Sequence, residues 1–121
     1  MIMTYTFYHY PRCSTCVKAK KWLNEQGIEY QAINLAEQPP NAQQLKAIHQ
    51  NSGKAIKALF NTSGQSYRGG QFKDRLPNMS SDEQFKALAA DGMLIKRPIL
   101  VGGTPNLIGF KVAEWEQLFN R

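Results

Sequence analysis

The chain has 121 residues, 42% hydrophobic and 20% charged, which excludes a disordered or collagen-like protein and predicts a single domain over residues 1–121. Fifteen lysines and arginines against nine acidic residues give a formal charge of +6, which favours anionic partners or serves solubility alone. No segment reaches the roughly 18 apolar residues of a membrane span, and residues 1–11 lack a signal-peptide pattern, so we expect a cytoplasmic protein without membrane contact.

The N-terminal third predicts a β-α-β unit. Residues 4–8 are rich in β-branched and aromatic side chains and predict a strand that ends before Pro11. Residues 14–26 place apolar side chains on one helical face, and Gly27 supplies a left-handed stop. Residues 28–35 predict a second, largely buried strand. Because a helix joins the two strands, they should be parallel.

Residues 41–91 predict a helical insert. The segment divides into a helix, a short helix, a loop rich in Asn, Thr, Ser and Gly, and a third helix, over residues 42–51, 55–60, 61–70 and 81–91. Ser81 with Gln84 three residues later has the capping-box form, and the third helix should stop before Gly92.

The C-terminal segment completes the predicted sheet. Residues 99–101 read as a buried strand, residues 102–106 as a turn and residues 107–110 as the antiparallel partner. A last helix over residues 112–120 carries Trp115 on its apolar face. The fold class is therefore α/β, with a four-stranded mixed sheet and flanking helices.

Two cysteines, Cys13 and Cys16, fall at the predicted junction of the first strand and first helix. Residues three apart at a helix start have Cα atoms roughly 5 to 6 Å apart, which suits a disulfide. Free N–H groups and the helix dipole should lower the pKa of Cys13, and nearby positive charges should add to this effect: Arg12, Lys18, Lys20 and Lys21. Cys16, one turn further in, is suited to resolve a mixed disulfide formed at Cys13.

Other interpretations of the pair are two structural cysteines or half of a zinc site. A tetrahedral zinc site needs about four ligands, and His9 and His49 are the histidines of this chain. A Cys-x-x-Cys beside a β-α-β unit is instead typical of thioredoxin-like redox proteins. We therefore predict redox chemistry and no metal.

Three motifs resemble the ArsC/Spx family: TFYHYPRC at residues 6–13, NTSG at residues 61–64 and KRPI at residues 96–99. The resemblance covers essentially the whole chain. It implies a thioredoxin-like fold with a helical insert, and Cys13 as the nucleophile. The family includes glutaredoxin-coupled arsenate reductases, Spx-type redox regulators of transcription, and uncharacterised thiol reductases.

The resemblance also implies roles for other residues. His9 would help to hold Cys13 as a thiolate, although a half-buried residue at a strand end is the alternative. Arg97 would bind an anion or stabilise the thiolate, the alternative being a surface charge. Pro98 resembles the cis-proline that faces the cysteine in thioredoxin folds. The remaining candidates for contacts to substrate or thiolate are Arg12, Thr15, Asn61 and Arg68, the last of which could equally be a solvated loop arginine.

Departures from the family pattern separate its branches. The classical arsenate reductases of the family that this chain resembles use an arginine triad for the oxyanion, but here Asn61 stands at the first position and Gly109-Phe110 at the last. Two missing guanidinium groups weaken oxyanion binding. Those enzymes also use one protein cysteine with glutathione, whereas Cys16 offers an internal resolving thiol, as in Spx. Efficient arsenate reduction is not expected.

We therefore predict a thiol-disulfide oxidoreductase that acts on a thiol, a disulfide or a redox protein. It would hold no bound cofactor and would use glutathione, a thioredoxin or a glutaredoxin as reductant. The alternative is an Spx-like regulator that binds the C-terminal domain of the RNA polymerase α subunit through a surface including Gly53, although Gly53 is also an ordinary helix stop. A glutaredoxin-coupled arsenate reductase is less favoured. Direct DNA binding is not expected, because the basic residues form no recognition helix.

Overall fold

A four-stranded mixed sheet forms the centre of the structure, a computed structural model that describes residues 4–121. Its strands are Tyr5–His9 (β1), Tyr30–Asn34 (β2), Ile99–Val101 (β3) and Leu107–Ile108 (β4). Across the sheet they lie in the order β2-β1-β3-β4. β1 is parallel to β2 and antiparallel to β3, which is antiparallel to β4. The predicted four-stranded mixed sheet is confirmed.

Helices flank this sheet. The α-helices are Ser14–Glu25 (α1), Ala42–Gln50 (α2), Gln65–Gly69 (α3), Phe72–Arg75 (α4), Ser81–Ala90 (α5) and Val112–Phe119 (α6). Short 3-10 helices lie at Ile56–Leu59, Leu76–Asn78 and Gly92–Leu94. The chain between β2 and β3 is thus mostly helical. Within residues 4–121, no helix is both long enough and apolar enough to cross a membrane.

Two apolar cores lie on opposite faces of the sheet. Phe7 of β1 and Leu100 of β3 pack in one core with the buried faces of α1 and α6, including Trp115. Their strand neighbours Tyr8 and Ile99 belong to the other core, which includes buried residues of α2 and α5. The division follows from the alternation of side chains along a strand. Both cores therefore anchor β1, the strand that leads into the cysteine pair.

The prediction of a loop over residues 61–70 is wrong in part, because α3 lies within this segment. Tyr67 of α3 is buried, with its ring centroid 6.3 Å from that of Phe60 and 6.1 Å from that of Phe72. Burying a large aromatic ring among others outweighs the weak helix propensity of a Gly- and Ser-rich segment.

The capping box of α5 lies one residue earlier than predicted. The Ser80 side chain accepts a hydrogen bond from the Glu83 N–H at 3.1 Å, and the Glu83 carboxylate accepts one from the Ser80 N–H at 2.9 Å. Gln84 is instead buried and donates to the Met79 carbonyl at 3.1 Å. The predicted box of Ser81 and Gln84 is therefore wrong, because the Gln84 side chain is needed inside the fold.

The second strand is shorter and less buried than residues 28–35 were predicted to be. β2 forms an edge of the sheet, and both Gln31 and Ala32 are exposed. An edge strand has a partner on one side, so solvent reaches its backbone and part of both faces. At the other edge, Gly109 has a φ of 79° and ends β4 after two residues.

Candidate active site

Cys13 is the N-cap residue of α1, at the end of the loop that leaves β1. Its N–H donates to the Tyr10 carbonyl at 3.0 Å, and its own carbonyl accepts from the Val17 N–H at 3.0 Å. These bonds fix Cys13 at the mouth of the helix, where it is half-buried. Cys16 lies in the first helical turn and is buried. The two thiols are free, so the structure describes the reduced protein.

The thiol of Cys13 favours the thiolate. Partial burial by itself raises its pKa, but the backbone N–H and the thiol of Cys16, the backbone N–H of Thr15 and the charge of Arg97 together lower the pKa below the ordinary cysteine value. The Cys13 side chain makes no full capping hydrogen bond to the helix. The lowered pKa is therefore the effect of nearby donors and one guanidinium group at a helix N-terminus.

Cys16 shows the opposite behaviour. Its pKa is raised to about 12, mainly by burial and to a smaller extent by the neighbouring Cys13 sulfur. The Tyr10 backbone N–H, which donates to Cys16 Sγ at 3.5 Å, and Arg97 offset a part of this shift. At neutral pH Cys16 is a protonated thiol behind an ionisable Cys13.

Arg97 is held in place by the backbone. Its Nη1 donates to the Met93 carbonyl at 3.0 Å and to the Ile95 carbonyl at 3.2 Å. The guanidinium carbon lies 5.4 Å from the centre of the Tyr10 ring, within the range of a cation–π contact. The peptide bond between Arg97 and Pro98 is cis, as the resemblance implies. Nε and Nη2 of Arg97 take no part in these two hydrogen bonds.

A cavity of about 390 Å³ brings Arg97 together with Asn61 and Arg68. We call it the arginine cavity; its other lining residues are Ser63, Gly64, Gln65, Ser66 and Met93. Arg68 is exposed, and its Nη2 donates to the Ser63 carbonyl at 3.0 Å. Two guanidinium groups with unused donors are suited to bind an anionic group.

A second cavity, of about 540 Å³, opens on the other cysteine. We call it the histidine cavity; it is lined by His9, Tyr10, Pro11, Cys16, Val17, Lys20, Lys21, Asn24 and Glu25. The His9 ring stacks on Phe7 with centroids 5.2 Å apart. Burial, with a contribution from Lys20, lowers the pKa of His9 below its ordinary value. His9 is therefore a neutral imidazole at neutral pH.

The structure sorts the predicted site residues into two groups. Cys13, Cys16, Arg97 and the Thr15 N–H form one electrostatic unit, and Asn61, Arg68 and Arg97 share the arginine cavity. Neither His9 nor the positive charges predicted to act on Cys13 are among the groups that lower its pKa, although Arg97 is. Those charges belong to exposed side chains: Arg12, Lys18, Lys20 and Lys21.

Sequence reasoning missed Tyr10 and Met93. Tyr10 contributes through its backbone N–H to Cys16 and through its ring to Arg97, and Met93 through its carbonyl to Arg97. Backbone contacts of this kind leave no residue-type signal in a sequence. Among residues 4–121, no group of three or more His, Cys, Asp or Glu side chains is arranged to hold a metal ion.

Comparison with known proteins finds relatives that match this chain over most or all of its length. The model of the ArsC family matches residues 8–118. YusI of Bacillus subtilis (strain 168), an uncharacterized protein, is 51% identical over 95% of this chain and 98% of its own length. MgsR, a regulatory protein of the same strain, is 30% identical over 90% of this chain and 85% of its own length. Spx of Lactiplantibacillus plantarum, a global transcriptional regulator, is 26% identical over 100% of this chain and 88% of its own length.

A solved structure agrees closely with this one. The crystal structure of an ArsC family related protein from Bacteroides fragilis superposes with a TM-score of 0.92 at 45% sequence identity. The match covers 96% of this chain and 98% of that chain. The similarity therefore extends over the sheet, the helices between β2 and β3, and the loop that carries the cysteines.

Proposed function

This chain belongs to the ArsC family, and we propose that it is a thiol-disulfide oxidoreductase whose redox centre is the pair Cys13 and Cys16. The thioredoxin-like fold expected from the sequence is confirmed. One observation carries the functional proposal: the pKa values of the two thiols are shifted in opposite directions, down at Cys13 and up at Cys16. Such a split assigns attack to one group and the later, protonated role to the other.

The reaction follows from this assignment. The Cys13 thiolate attacks one sulfur of a disulfide substrate, forms a mixed disulfide and expels the other substrate sulfur as a thiolate. Cys16 then attacks Cys13 Sγ, the new Cys13–Cys16 disulfide forms, and the second substrate thiolate leaves. The substrate gains two electrons and the protein loses two. An external dithiol or two monothiols return the cysteines to the reduced state.

The arginine cavity is suited to bind the anionic part of a thiol substrate or reductant. Arg68 and Arg97 offer charged donors there for the carboxylates of a glutathione moiety, either as the leaving half of a substrate or as the reductant. A thioredoxin or glutaredoxin is the other class of reductant that we propose. Neither requires a cofactor that stays bound to the protein.

A redox-sensing regulator is the second candidate, because MgsR and Spx are named as regulators. In that case the Cys13–Cys16 disulfide would change the affinity for a partner such as the α subunit of RNA polymerase. Gly53, which the resemblance places on that surface, is exposed just after α2 with a φ of 70°. That backbone conformation is sufficient reason for a glycine. Binding of the purified C-terminal domain of the α subunit to reduced and oxidised protein separates the two candidates.

Arsenate reduction is not part of the proposal. Asn61 lines the arginine cavity where the resemblance expects an arginine. The Gly109-Phe110 segment is committed to the fold: the Gly109 N–H donates to the Pro98 carbonyl at 2.7 Å, and the Phe110 ring centre lies 5.0 Å from that of Trp115. Neither position offers a guanidinium group to the oxyanion.

The proposal is tested by oxidising the reduced protein with a slight excess of glutathione disulfide and mapping its peptides by mass spectrometry without reduction. Wild type should yield the intramolecular Cys13–Cys16 disulfide. Cys16→Ser should stop at a glutathione adduct on Cys13, because the resolving thiol is gone. Cys13→Ser should react far more slowly, because Cys16 is buried and holds its proton.

Two results would contradict the proposal. One is a wild-type protein that yields free thiols or intermolecular dimers in place of the internal disulfide. The other is a Cys13→Ser variant that reacts as fast as Cys16→Ser, which would reverse the assigned roles. Arsenate turnover at the rate of an authentic glutaredoxin-coupled reductase would instead identify the protein as an arsenate reductase.

A further inference from the structure

Cys16 must lose its thiol proton before it can attack the mixed disulfide at Cys13. With the pKa of Cys16 raised to about 12 by burial and by the Cys13 sulfur, Cys16 is almost entirely protonated at neutral pH. When Cys13 is tied up in a mixed disulfide its sulfur carries no charge, but burial remains, and burial is the main cause of the raised pKa. Cys16 therefore ionises rarely on its own, and the second step is slow unless a neighbouring group accepts the proton.

The groups around Cys16 narrow the choice. Arg97 and the lysines of the histidine cavity, Lys20 and Lys21, are cationic side chains that offer hydrogen-bond donors and no acceptor. Glu25 is engaged with Lys21 at 3.9 Å on the exposed side of α1. Tyr10 presents its N–H to Cys16 Sγ, which is a donor and cannot accept the proton. Among the described residues that line this cavity, His9 is the side chain with a free basic nitrogen near neutral pH.

We propose that His9 is the base that accepts the Cys16 thiol proton when Cys16 resolves the mixed disulfide at Cys13. The inference rests on the two-cysteine function proposed above. It also departs from the role that the sequence resemblance implies, in which His9 acts on Cys13. Here His9 acts on the second thiol and leaves the first to the helix N-terminus and Arg97.

The geometry supports this assignment. His9 and Cys16 line one cavity, and the residue after His9 donates its backbone N–H to Cys16 Sγ. Because His9 ends β1 and its ring stacks on Phe7, the imidazole is held by the strand and not by a mobile loop. A general base acts within hydrogen-bond reach of the proton or through one solvent molecule. The described hydrogen bond to Cys16 Sγ comes from Tyr10 and not from His9, so the transfer would pass through one solvent molecule, for which a cavity of about 540 Å³ has room.

The surroundings of His9 favour its unprotonated form. Burial and Lys20 of α1 lower its pKa. Lys21 and Glu25 of α1 also line the cavity, and Asn34, its register partner on β2, is neutral. His9 is therefore unprotonated before the step. It then takes the proton from Cys16, Cys16 bonds to Cys13, and the imidazolium gives the proton to the leaving thiolate or to solvent.

The test separates the two chemical steps with 5,5′-dithiobis-(2-nitrobenzoate) under stopped flow. Attack by Cys13 releases the first coloured thiolate, and attack by Cys16 on the resulting mixed disulfide releases the second. His9→Phe keeps a ring to stack on Phe7 and removes the base. Its first phase should stay within about twofold of wild type, and its second should slow by on the order of 100-fold, the usual contribution of a general base.

Rescue and pH dependence distinguish a base from a structural role. Added imidazole should restore the second phase of His9→Ala in proportion to its free-base concentration. The second-phase rate of wild type should rise with pH, reach its midpoint below the ordinary histidine pKa and then level off, whereas His9→Phe should keep rising through neutral pH. Lys20→Ala should move the wild-type midpoint upward, because Lys20 lowers the pKa of His9.

The outcomes are distinct. If wild type releases one thiolate per chain, the two-cysteine function itself fails. If wild type and His9→Phe both release two with equal second-phase rates, the function stands and the role of His9 is overturned. If His9→Phe slows the first phase as much as the second, or imidazole gives no rescue, His9 acts on Cys13 or on the fold, and the inference is again overturned.

Discussion

Arg97 links two properties of the active site, because it lowers the pKa of Cys13 and also lines the arginine cavity. We expect Arg97→Ala to raise the pKa of Cys13 and to slow its alkylation at neutral pH, since the thiolate loses its nearby cation. Thiolate absorbance followed against pH in a Cys16→Ser background reports the change with a single thiol titrating. Lys21→Ala, in the same background, is the control.

Lys21 is exposed on the same helix but is not among the groups that act on Cys13. Its removal should leave the titration curve in place. A curve that moves with Lys21→Ala and not with Arg97→Ala would show that the helix lysines supply the field. Arg97 would then be a substrate-binding residue or a plain surface charge.

Much of the site could be predicted at this scale, but not how its parts are connected. The spacing of Cys13 and Cys16 at a strand-to-helix junction predicts that Cys16 is the less exposed thiol and that the pKa of Cys13 is lowered. The side on which His9 lies was not predictable, because a strand-end residue can face either of two thiols that are one helical turn apart. Only the fold shows that its cavity opens on Cys16.

Gly92 decides how the helical segment joins the sheet. A Cβ built on it would lie 1.8 Å from the Leu35 carbonyl oxygen and 2.6 Å from the Leu35 carbonyl carbon, just after β2. These are backbone atoms, which cannot rotate away. We expect Gly92→Ala to lower the free energy of unfolding by about 3 kcal/mol or more, measured by urea denaturation of the reduced protein.

Gly69, the last residue of α3, is the matched control. A Cβ there would meet nothing within 4 Å. Because alanine is the better helix former by about 1 kcal/mol, Gly69→Ala should leave stability unchanged or raise it slightly. Equal losses in the two variants would mean that the close approach at Gly92 does not limit the fold.

The elements predicted best are those whose pattern and tertiary surroundings agree. α1 has the apolar spacing of its buried residues Ala19 and Leu23, and Gly27 follows it with a φ of 68°. α3 was missed, because burial of Tyr67 against the rings of Phe60 and Phe72 decides its helix, and the helix propensity of the segment does not reveal that packing. β2 was predicted to be too buried, because a sequence does not say which strand will lie at an edge.

At the scale of the whole molecule, folding of the reduced protein shifts the pKa values of its two thiols in opposite directions. Cys13 is ionised more readily in the folded protein than in the unfolded chain, and Cys16 less readily. The two shifts have opposite effects on stability as the pH rises. A lowered pKa adds stability above the folded value, and a raised pKa removes stability above the unfolded value. Forming the disulfide removes both effects at once.

The Cys16 effect gives a prediction in alkaline solution. An unfolded cysteine ionises near pH 8.5, whereas folded Cys16 keeps its proton to about pH 12. Between these values the folded state binds more protons than the unfolded chain. The free energy of unfolding of the reduced wild type should therefore fall with rising pH faster than that of Cys16→Ser.

Urea denaturation at pH 7, 8.5 and 10, with a phosphine reductant to keep both cysteines free, measures this difference. Tyr8, whose pKa is also raised by burial, is present in both proteins and cancels from the comparison. The expected result is a stability difference between wild type and Cys16→Ser that is constant from pH 7 to about 8.5 and shrinks towards pH 10. A constant difference over the whole range would mean that Cys16 ionises in the folded protein as it does in water. Its part as the protonated partner of Cys13, and with it the need for a base in the resolving step, would then be lost.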